Sequence, residues 1–297
     1  MSGGFSALVA ARSFLFVPAN RPERFAKALS CGADAVIIDL EDAVAPSEKL
    51  AARQQLATAF AGFTSSDKTR VVLRINAAGT PWFEEDLNLL QSLVGQGLCA
   101  VMLPKAESAV VLQQLAQRLG PGCALLPLVE SLAGLDAVDA LANAPQVLRL
   151  AFGNLDFQAD LGLACAADEA ELLPVRLALV MAARRAGLAP AIDGVTANIK
   201  DPLQLQFDTA RSRRAGFAAK LCIHPTQVAS VNAAFAPSAA ELEWAQRVLA
   251  AFEAAGGGVF SLDGRMVDAP VLRLARRTLV QSRRTAADGV GVVQPDR

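Results

Sequence analysis

The sequence predicts an α/β fold in which eight strand–helix units close into a (β/α)8 barrel, with a C-terminal extension after it. Three observations predict this fold. Short apolar runs alternate eight times with longer segments of helical character. The runs are bounded by Gly, Pro or a charged residue, as is typical of strands that are buried on both faces of a parallel sheet. The length of 297 residues accommodates one such barrel, for which about 250 residues are typical, and an extension.

End signals mark several of the helices that follow the strands. Asn20 and Glu23 have the spacing of a capping box for the first helix, and Pro46 suits the first turn of the second. The helix after strand 6 is expected to start late, near residue 174, because Glu171 precedes it and Gly187 follows it. The predicted strands cover 13–17, 35–40, 70–75, 100–103, 124–129, 147–152, 189–192 and 218–223. The predicted helices cover 20–30, 46–60, 82–93, 108–119, 132–141, 174–186, 202–214 and a segment from 225 onward.

The alternation stops after residue 235. Asp263-Gly264 is a two-residue hairpin signal, and three glycines at 256–258 are expected to end the helix before it. The predicted elements of this region are a helix over 239–254, strands over 259–262 and 266–267, and a helix over 270–279. The predicted organisation is therefore a catalytic barrel over 1–235, a helix–hairpin–helix extension over 236–280 and a disordered tail over 281–297, which is polar and contains Gly and Pro.

A doubly wound open sheet is the alternative that this alternation leaves open. Eight strand–helix units are many for such a sheet. No G-x-G-x-x-G motif follows strand 1, so the fingerprint of a dinucleotide site is missing. The closed barrel is therefore the preferred interpretation.

Composition excludes several classes of function. The formal net charge is −1 and no run of Lys and Arg stands out, so a nucleic-acid partner is not expected. No apolar stretch reaches the roughly 18 residues that span a membrane, and no basic residue precedes the apolar segment 5–11 as in a signal peptide. The five cysteines are odd in number and widely spaced, which indicates reduced thiols in the cytoplasm and not disulfides or a zinc site.

Charged residues follow four of the predicted strands. Since the carboxyl ends of all strands in a parallel barrel meet at one face, these residues are expected to line a single cleft. A buried acid costs several kcal/mol, in rough terms, unless it is paired or bound to a metal, so the pattern is that of an enzyme site. The residues are Asp39 with Glu41 and Asp42, then Arg74, Glu130 and Asp156.

Glu130 and Asp156 follow consecutive strands and could share a divalent cation. Two carboxylates, with waters and a chelating substrate, suit Mg²⁺, whereas helix capping is the alternative for each acid. Arg74 lies inside an apolar strand and therefore needs a carboxylate partner, and its planar fork suits a substrate carboxylate or a developing enolate. The acids at 39, 41 and 42 cannot all be ligands, so some are expected to hold Arg74 or metal-bound water.

Two further residues keep other mechanisms open. His224, the only histidine, ends strand 8, where it could act as a base or orient a loop by hydrogen bonding. Lys105 ends strand 4, so a Schiff-base aldolase is a competing interpretation, although such a lysine does not need the carboxylate pair. The chain has no tyrosine, so a general acid must be Asp, Glu, Lys, Cys or water.

Six motifs in chain order resemble the citrate lyase β-subunit-like branch of the HpcH/HpaI aldolase family. The resemblance covers about residues 12–279. The chain has no histidine just after strand 2, where the pyruvate-aldolase branch of the family places a catalytic one, and this argues against that branch. The motifs are RSFLFVPAN at 12–20, DLEDAV at 39–44, LRIN at 73–76, MLPK at 102–105, GNLDF at 153–157 and IHPTQ at 223–227.

The resemblance implies a Mg²⁺-dependent lyase of the citryl-, malyl- or citramalyl-CoA type. It places the metal ligands on Glu130 and Asp156, and the substrate arginine on Arg74. It also implies a homo-oligomer, a trimer or a dimer of trimers, in which Asp268 is lent as a general acid/base to the site of a neighbouring subunit. The residues that it assigns to contacts with the nucleotide of CoA are Phe16, Arg21 and Lys27.

Departures from the family pattern concern loop shape and substrate choice. Ala19 stands where Gly usually follows the proline, Ser131 where Thr usually follows the glutamate, and Ala219 where Gly usually precedes the lysine. None of these removes a charged group. The expected reaction is cleavage of a 3-hydroxyacyl-CoA thioester to a 2-oxo acid and an acyl-CoA. A thioesterase that uses the same site and a non-catalytic barrel that binds CoA or an oxo acid are the alternatives.

Overall fold

The computed structural model describes residues 5–255 and 258–288. Eight parallel strands close into a barrel in sequence order, which confirms the predicted (β/α)8 fold. The closing pair is the first and last strand, with Ser13 beside Lys220 and Leu15 beside Cys222. The strands are β1 Ser13–Pro18, β2 Ala35–Asp39, β3 Val71–Arg74, β4 Ala100–Leu103, β5 Ala124–Val129, β6 Ala151–Phe152, β7 Ile192–Asp193 and β8 Ala219–Cys222.

Helices precede the first strand and follow every strand of the barrel. They are α1 Ser6–Ala10, α2 Phe25–Ser30, α3 Lys49–Ala61, α4 Ser65–Lys68, α5 Phe83–Gly95, α6 Ala109–Leu119, α7 Leu132–Asp136, α8 Val138–Ala142, α9 Asn154–Leu161, α10 Leu173–Arg185, α11 Pro202–Ala215 and α12 Pro225–Phe235. Short 3-10 helices at Pro22–Arg24, Pro46–Glu48 and Ala170–Leu172 lead into α2, α3 and α10. Within the described residues, no helix combines the length and the apolar character needed to cross a membrane.

Alternation along the strands decides which side chains fill the barrel. Successive side chains of a strand point to opposite faces, so every second residue points inward. The buried core contains Phe14, Ile37, Val72 and Leu128 together with residues from the other strands. Residues two positions further along, at the carboxyl ends, point to the same side. This parity brings Phe16, Asp39, Arg74 and Glu130 to the carboxyl end of the barrel interior.

The amino-terminal end of the barrel is closed by α1 and by a fully buried arginine. Leu8 of α1 belongs to the core, and Arg149 has no exposed surface. Nη1 of Arg149 donates to the carbonyls of Leu8 (3.0 Å) and Ala11 (2.7 Å), and Nε donates to the carbonyl of Pro190 (2.7 Å). Burial lowers the pKa of Arg149 to about 9, because desolvation disfavours the charged form. This arginine therefore ties α1 and the segment before β7 to its own segment before β6.

The region after strand 6 differs from the sequence-based prediction. Strand 6 is short, and Val147 contributes only an isolated bridge to Leu125. The helix predicted over 174–186 is confirmed as α10. An additional helix that was not predicted, α9, begins at Asn154 directly after β6 and is followed by Gly162, which has a positive φ of 64°. Most of the α9 side chains are exposed, so the segment lacks the apolar stripe on which a helix prediction depends.

The predicted capping pair for the first helix is wrong. Asn20 makes no capping hydrogen bond. Its Oδ1, the atom that would accept one, has no hydrogen-bond partner within the described residues, and its Nδ2 donates to Glu48 at 3.0 Å. Glu23 accepts from Nε of Arg21 at 2.6 Å, and about half of each side chain in this pair is exposed. Pro22 occupies the first helical position and starts a 3-10 turn, which sets the chain direction without a side-chain cap.

The chain divides into two compact units, Met1–Ala233 and Ala234–Arg297, close to the predicted boundary at residue 235. The second unit contains α13 Ala239–Ala254, the antiparallel strands β9 Phe260–Leu262 and β10 Arg265–Val267, and α14 Ala269–Asp288. Asp263 and Gly264 have φ values of 51° and 74°, as their hairpin turn requires. The core of this unit contains Ala245, Val248, Val267, Leu272 and Ala275.

The predicted disordered tail needs a correction. The last helix was expected to end near residue 279, but α14 continues to Asp288, since Gln, Arg and Ala, which favour helices, follow in the sequence. The remainder of the predicted tail, residues 289–297, lies outside the described residues. So do 256 and 257 of the three glycines that were expected to end α13.

Arg149→Ala should lower the free energy of unfolding by roughly 2 to 4 kcal/mol, because it leaves three carbonyls, two of them on buried residues, without their charged donor. Urea denaturation measures this change. Arg185→Ala is the control, since Arg185 forms an exposed ion pair with Asp139 and its removal should cost less than about 1 kcal/mol. Equal losses in the two variants would contradict the role given to Arg149.

Candidate active site

A buried ion pair joins the carboxyl ends of β2 and β3. Asp39 and Arg74 are register partners in the parallel ladder. Nε of Arg74 donates to Oδ1 of Asp39 at 2.7 Å, and Nη2 donates to Oδ2 at 2.6 Å, which is a bidentate pair. Burial by itself would lower the pKa of Arg74, but Asp39, Glu41 and Glu130 outweigh it and raise the pKa above its usual value. The guanidinium is therefore permanently charged, as the predicted carboxylate partner requires.

An aromatic ring supports the same guanidinium. The centroid of the Phe16 ring lies 4.7 Å from Cζ of Arg74, within the range of a cation–π contact. Phe16 was predicted to contact a nucleotide, and in the structure it contacts Arg74. Ion pairing at the edge and the ring at the face together fix both the position and the plane of the guanidinium.

The other two residues predicted to contact a nucleotide lie on the surface. Arg21 pairs with Glu23 and about half of its side chain is exposed, and Lys27 is exposed on α2. Among the described residues, neither forms a hydrogen bond or an ion pair with Arg74 or Glu130. Their assignment to the nucleotide therefore stays a prediction.

Glu130 follows β5 and is almost completely buried. Its Oε1 accepts a hydrogen bond of 2.7 Å from the backbone N–H of Lys105, which has a φ of 44°. A Cβ added at Gly153 would overlap Oε2 of Glu130, so glycine is required at this position. Ser131, and not Glu130, caps α7, because its Oγ accepts from the N–H of Gly134 at 3.2 Å. Helix capping therefore does not account for the burial of a carboxyl group at Glu130.

Asp156 lies in the first turn of α9 and is exposed. Within residues 5–255 and 258–288, its side chain forms no hydrogen bond, so Asp156 does not act as a helix cap either. Burial raises the pKa of Glu130 to about 7, the hydrogen bond from Lys105 opposes this, and the charge of Asp156 adds to the increase. The two predicted metal ligands are therefore neighbours that interact electrostatically.

Glu41 shows that the cleft contains more carboxyl groups than Arg74 can neutralise. Nη1 of Arg74 lies 2.8 Å from Oε2 of Glu41, yet this buried oxygen has no partner with hydrogen-bond geometry. Burial raises the pKa of Glu41 to about 8, Arg74 lowers it, and the carboxylates of Glu130, Asp42 and Asp39 raise it further. Asp42 itself is exposed. Several carboxyl groups close together offer oxygen donors of the kind that a hard divalent cation prefers, and such a cation would favour their ionised form.

The donor set for a cation is small. Across the described residues, no group of three or more His, Cys, Asp and Glu side chains is arranged to hold a metal ion. A cation between Glu130 and Asp156 would therefore take its other oxygen ligands from water or substrate. Mg²⁺ is commonly bound in this way, with one or two carboxylates and several waters.

Lys105 and His224, the residues behind the competing mechanisms, have other contacts. Lys105 approaches the site with its backbone N–H, while its side chain is exposed. Nδ1 of His224 lies 2.8 Å from Oγ1 of Thr226, two residues along its own loop. Oε1 of Gln227 accepts from the backbone N–H of Ile223 at 2.9 Å. These contacts support the loop-orienting interpretation of His224.

Two residues that support the site escaped the sequence analysis. Nζ of Lys49 donates to the carbonyls of Leu40 and Glu41, each at 2.8 Å. Nδ2 of Asn76 donates to the same Leu40 carbonyl at 3.1 Å and to Oδ2 of Asp86 at 2.6 Å. Together they fix the end of β2 and so the start of the segment that carries Glu41. The LRIN motif, which contains Asn76, could have indicated its role, whereas no sequence motif pointed to Lys49.

Glu130→Gln should change how stability depends on pH in protein freed of metal by EDTA. The folded carboxyl keeps its proton up to about pH 7, whereas the unfolded one ionises near 4.5. The free energy of unfolding of the wild type therefore falls as the pH rises from about 4.5 to about 7. Glu130→Gln removes this loss and should gain roughly 2 kcal/mol relative to wild type between about pH 5 and 7.

Urea denaturation at several pH values measures the effect. Glu243→Gln, a substitution of an exposed glutamate, is the control and should follow the wild-type curve. Wild-type and Glu130→Gln curves that remain parallel across this range would contradict the perturbed titration.

Comparison with known proteins places the fold and this site in context. The HpcH/HpaI aldolase/citrate lyase family matches residues 12–225. A citrate lyase subunit beta-like protein of Mycobacterium tuberculosis (strain CDC 1551 / Oshkosh) is 40% identical over 271 residues, 90% of this chain and 93% of that protein. A (3S)-malyl-CoA thioesterase of Cereibacter sphaeroides (strain ATCC 17029 / ATH 2.4.9) is 34% identical over 279 residues, 93% of this chain and 96% of that protein.

A solved structure is similar over nearly the same length. The crystal structure of CitE from Mycobacterium tuberculosis, in complex with magnesium, acetoacetate and coenzyme A, has a TM-score of 0.80 and 38% identity, and the match covers 93% of this chain and 99% of that one. These matches confirm the resemblance that the six motifs predicted. The chain belongs to the HpcH/HpaI aldolase/citrate lyase family, a family of lyases.

Proposed function

We propose that this protein is a Mg²⁺-dependent lyase that cleaves a 3-hydroxyacyl-CoA thioester to a 2-oxo acid and an acyl-CoA. One observation carries this proposal. Arg74, held by Asp39, lies beside the carboxylate pair Glu130 and Asp156 at the carboxyl end of the barrel. The CitE structure with magnesium, acetoacetate and coenzyme A supports the same cation and a ligand that carries coenzyme A. Citryl-, malyl- and citramalyl-CoA are the candidate substrates.

Glu130 and Asp156 are the residues that would hold Mg²⁺. Their oxygens are hard donors. Burial and, to a smaller extent, the charge of Asp156 raise the pKa of Glu130, and a cation bound there would favour the ionised carboxylate. Bound there, Mg²⁺ would act as a Lewis acid toward the hydroxyl and carboxylate oxygens of the substrate. Glu130 is fixed by the N–H of Lys105 and by the close approach of Gly153, so its oxygens are already oriented.

Arg74 would bind the negative charge that develops during cleavage. The guanidinium carries five N–H groups, and Asp39 takes two of them in hydrogen bonds. The N–H groups that remain on Nη1 and Nη2 can bind a substrate carboxylate or the oxygen of the departing thioester enolate. Because Asp39 and Phe16 hold the guanidinium in place, little reorganisation is needed when the charge appears.

The nucleotide of the thioester would be held by residues after β1. Arg21 and Lys27 are exposed cations, which suit the phosphates of coenzyme A. Phe16 would contact the ligand and would also hold the guanidinium plane of Arg74 in place.

All five cysteines are unpaired, which supports a cytoplasmic setting for the reaction.

Hydrolysis of the thioester is the second candidate function. The observation that favours it is the similarity to (3S)-malyl-CoA thioesterase, at 34% identity over 93% of this chain. The same Arg74 would stabilise the charge on the thioester oxygen, with water admitted to the site. With malyl-CoA, free malate and CoA indicate a hydrolase, whereas glyoxylate and acetyl-CoA indicate a lyase.

A non-catalytic barrel that binds CoA or an oxo acid is the remaining alternative. A barrel that serves only assembly has no need for an arginine held by two acids or for a carboxylate with a raised pKa. Calorimetry that detects neither Mg²⁺ nor oxo-acid binding would favour it.

Asp156→Ala should lower turnover of the cleaved CoA thioester by about 10² to 10³-fold, because one of two protein ligands is lost from an electrostatic site. The thioester is identified first with a panel of citramalyl-, malyl-, methylmalyl- and citryl-CoA. Asp160→Ala is the matched control, since Asp160 is exposed on the same helix and accepts from the N–H of Leu132. EDTA should also remove wild-type activity, and full activity in EDTA would contradict the metal assignment.

Asp268 is proposed as the general acid/base for the site of a neighbouring subunit in a homotrimer or a dimer of trimers. It lies in the second unit, just before α14, where its Oδ1 accepts from the N–H of Val271 at 3.2 Å. It is half-buried, so part of the carboxylate is accessible. A positioned acid/base contributes roughly 10² to 10⁴-fold when it moves the proton of the hydroxyl or of the enolate carbon.

Arg74→Ala and Asp268→Ala chains, each inactive alone, should regain part of the activity when they are unfolded together and reassembled. Some sites in the mixed oligomer then draw an intact Arg74 from one chain and an intact Asp268 from another. Native mass spectrometry verifies mixing and a turnover assay measures recovery. Verified mixed oligomers without recovery would mean that Asp268 serves its own barrel or no site.

A further inference from the structure

Asn154, the first residue of α9, ties the helix to the loop after β7. The side chain is 1% exposed. Its Oδ1 accepts from the N–H of Val195 at 2.9 Å, and its Nδ2 donates to the carbonyl of Val195 at 3.2 Å and to Oε1 of Glu169 at 2.9 Å. One amide therefore pairs with both backbone groups of a neighbouring residue, as a strand would.

Glu169 extends this connection to two more helices. Its Oε2 accepts from Nη2 of Arg176 on α10 and, at 2.8 Å, from Nη2 of Arg211 on α11. Its φ of 46° is in the left-handed region, so the backbone is held in an uncommon conformation that aims the carboxylate at these donors. The amide of Asn154 is thus fixed to a carboxylate that is itself fixed at two further points.

Two glycines let the backbone approach on either side of this residue. A Cβ added at Gly194 would overlap the side-chain amide of Asn154, and one added at Gly153 would overlap Oε2 of Glu130. The dipeptide 153–154 is therefore enclosed between Glu130 and the loop after β7. Asp156 follows two residues later in the same turn, so its distance from Glu130 depends on where this dipeptide is held.

Packing alone does not hold the turn. A cavity of about 200 Å³ lies beside it, with a mixed lining that includes the polar residues Asn154, Gln158, Glu169 and Gln204. The first turn has room to move into this space if its hydrogen bonds are lost. Asp156 is exposed, and no recorded hydrogen bond within the described residues fixes its carboxylate, so only the backbone of α9 positions it.

We propose that Asn154 is a positioning residue that sets the separation of Asp156 from Glu130 and thereby the affinity of the site for a divalent cation. This inference rests on the proposed function, in which these two acids hold Mg²⁺. Residues that orient metal ligands from behind contribute typically 10 to 100-fold in metal affinity. Asn154 suits this role because the amide bonds to the scaffold without adding charge to the site.

The test compares Mg²⁺ binding by isothermal titration calorimetry in the full-length protein without substrate. Asn154→Ala removes the amide, and Gly194→Ala displaces it while leaving it in the chain. Each should weaken Mg²⁺ binding about tenfold or more. Asn143→Ala and Gly122→Ala are matched controls, because Asn143 is an exposed helix-end asparagine and nothing lies within 4 Å of a Cβ at Gly122. Both controls should bind Mg²⁺ as the wild type does.

The double variant Asn154→Ala with Gly194→Ala separates a shared cause from two independent ones. Since Gly194→Ala acts by displacing the amide, the double variant should lose about as much affinity as either single variant. Losses that multiply would overturn the proposal. Turnover of Asn154→Ala at saturating Mg²⁺ should recover most of the wild-type kcat, because the ligands themselves are intact.

Thermal midpoints in EDTA distinguish positioning from stability. A purely structural role for Asn154 would lower the midpoint and leave the Mg²⁺ dissociation constant of the folded variant unchanged, and this result would overturn the proposal. Wild-type protein that binds no Mg²⁺ would overturn the metal assignment and this inference with it. Wild-type binding with unchanged binding in Asn154→Ala would overturn this inference alone.

Discussion

The guanidinium of Arg74 is buried at the carboxyl end of the barrel, and a charge in that position is tolerated only with partners of opposite sign. Asp39 supplies two hydrogen bonds from the neighbouring strand, at the same register position. Because strand register fixes both Cα positions, the pair needs no loop to assemble it. The rest of the site is arranged around this rigid cation, since Glu41 approaches its free side and the Phe16 ring covers one face.

More carboxyl groups surround Arg74 than one guanidinium can neutralise, and these groups give the cleft its chemistry. Glu130 and Glu41 both have a raised pKa, to about 7 and about 8, with burial as the largest cause. Ionising carboxyl groups that are buried close together is costly, and a bound cation would offset that cost. The buried carboxyl groups that lower the stability of the fold are therefore the same groups that prepare the site for a cation.

The two predicted ligands are held by different means. Glu130 is buried, hydrogen-bonded to the N–H of Lys105 and enclosed by Gly153, so its carboxylate is fixed directly. Asp156 is exposed, and its position depends on the first turn of α9 and so on Asn154. One rigid ligand and one ligand carried by a helix end can accommodate a cation that arrives with water and substrate.

The sequence by itself determined the barrel, because eight apolar runs with intervening helices leave few other architectures, and the motifs determined the family. The parity of the strands also made Asp39, Arg74 and Glu130 predictable as neighbours, since alternation places them inside the barrel at the same end. Tertiary structure alone decided the start of α9, whose mostly exposed residues carry no apolar stripe, and the length of α14. It also decided that Lys49, Asn154 and Glu169 support the site. Their partners are backbone carbonyls and side chains that are distant in sequence, and no local pattern encodes such contacts.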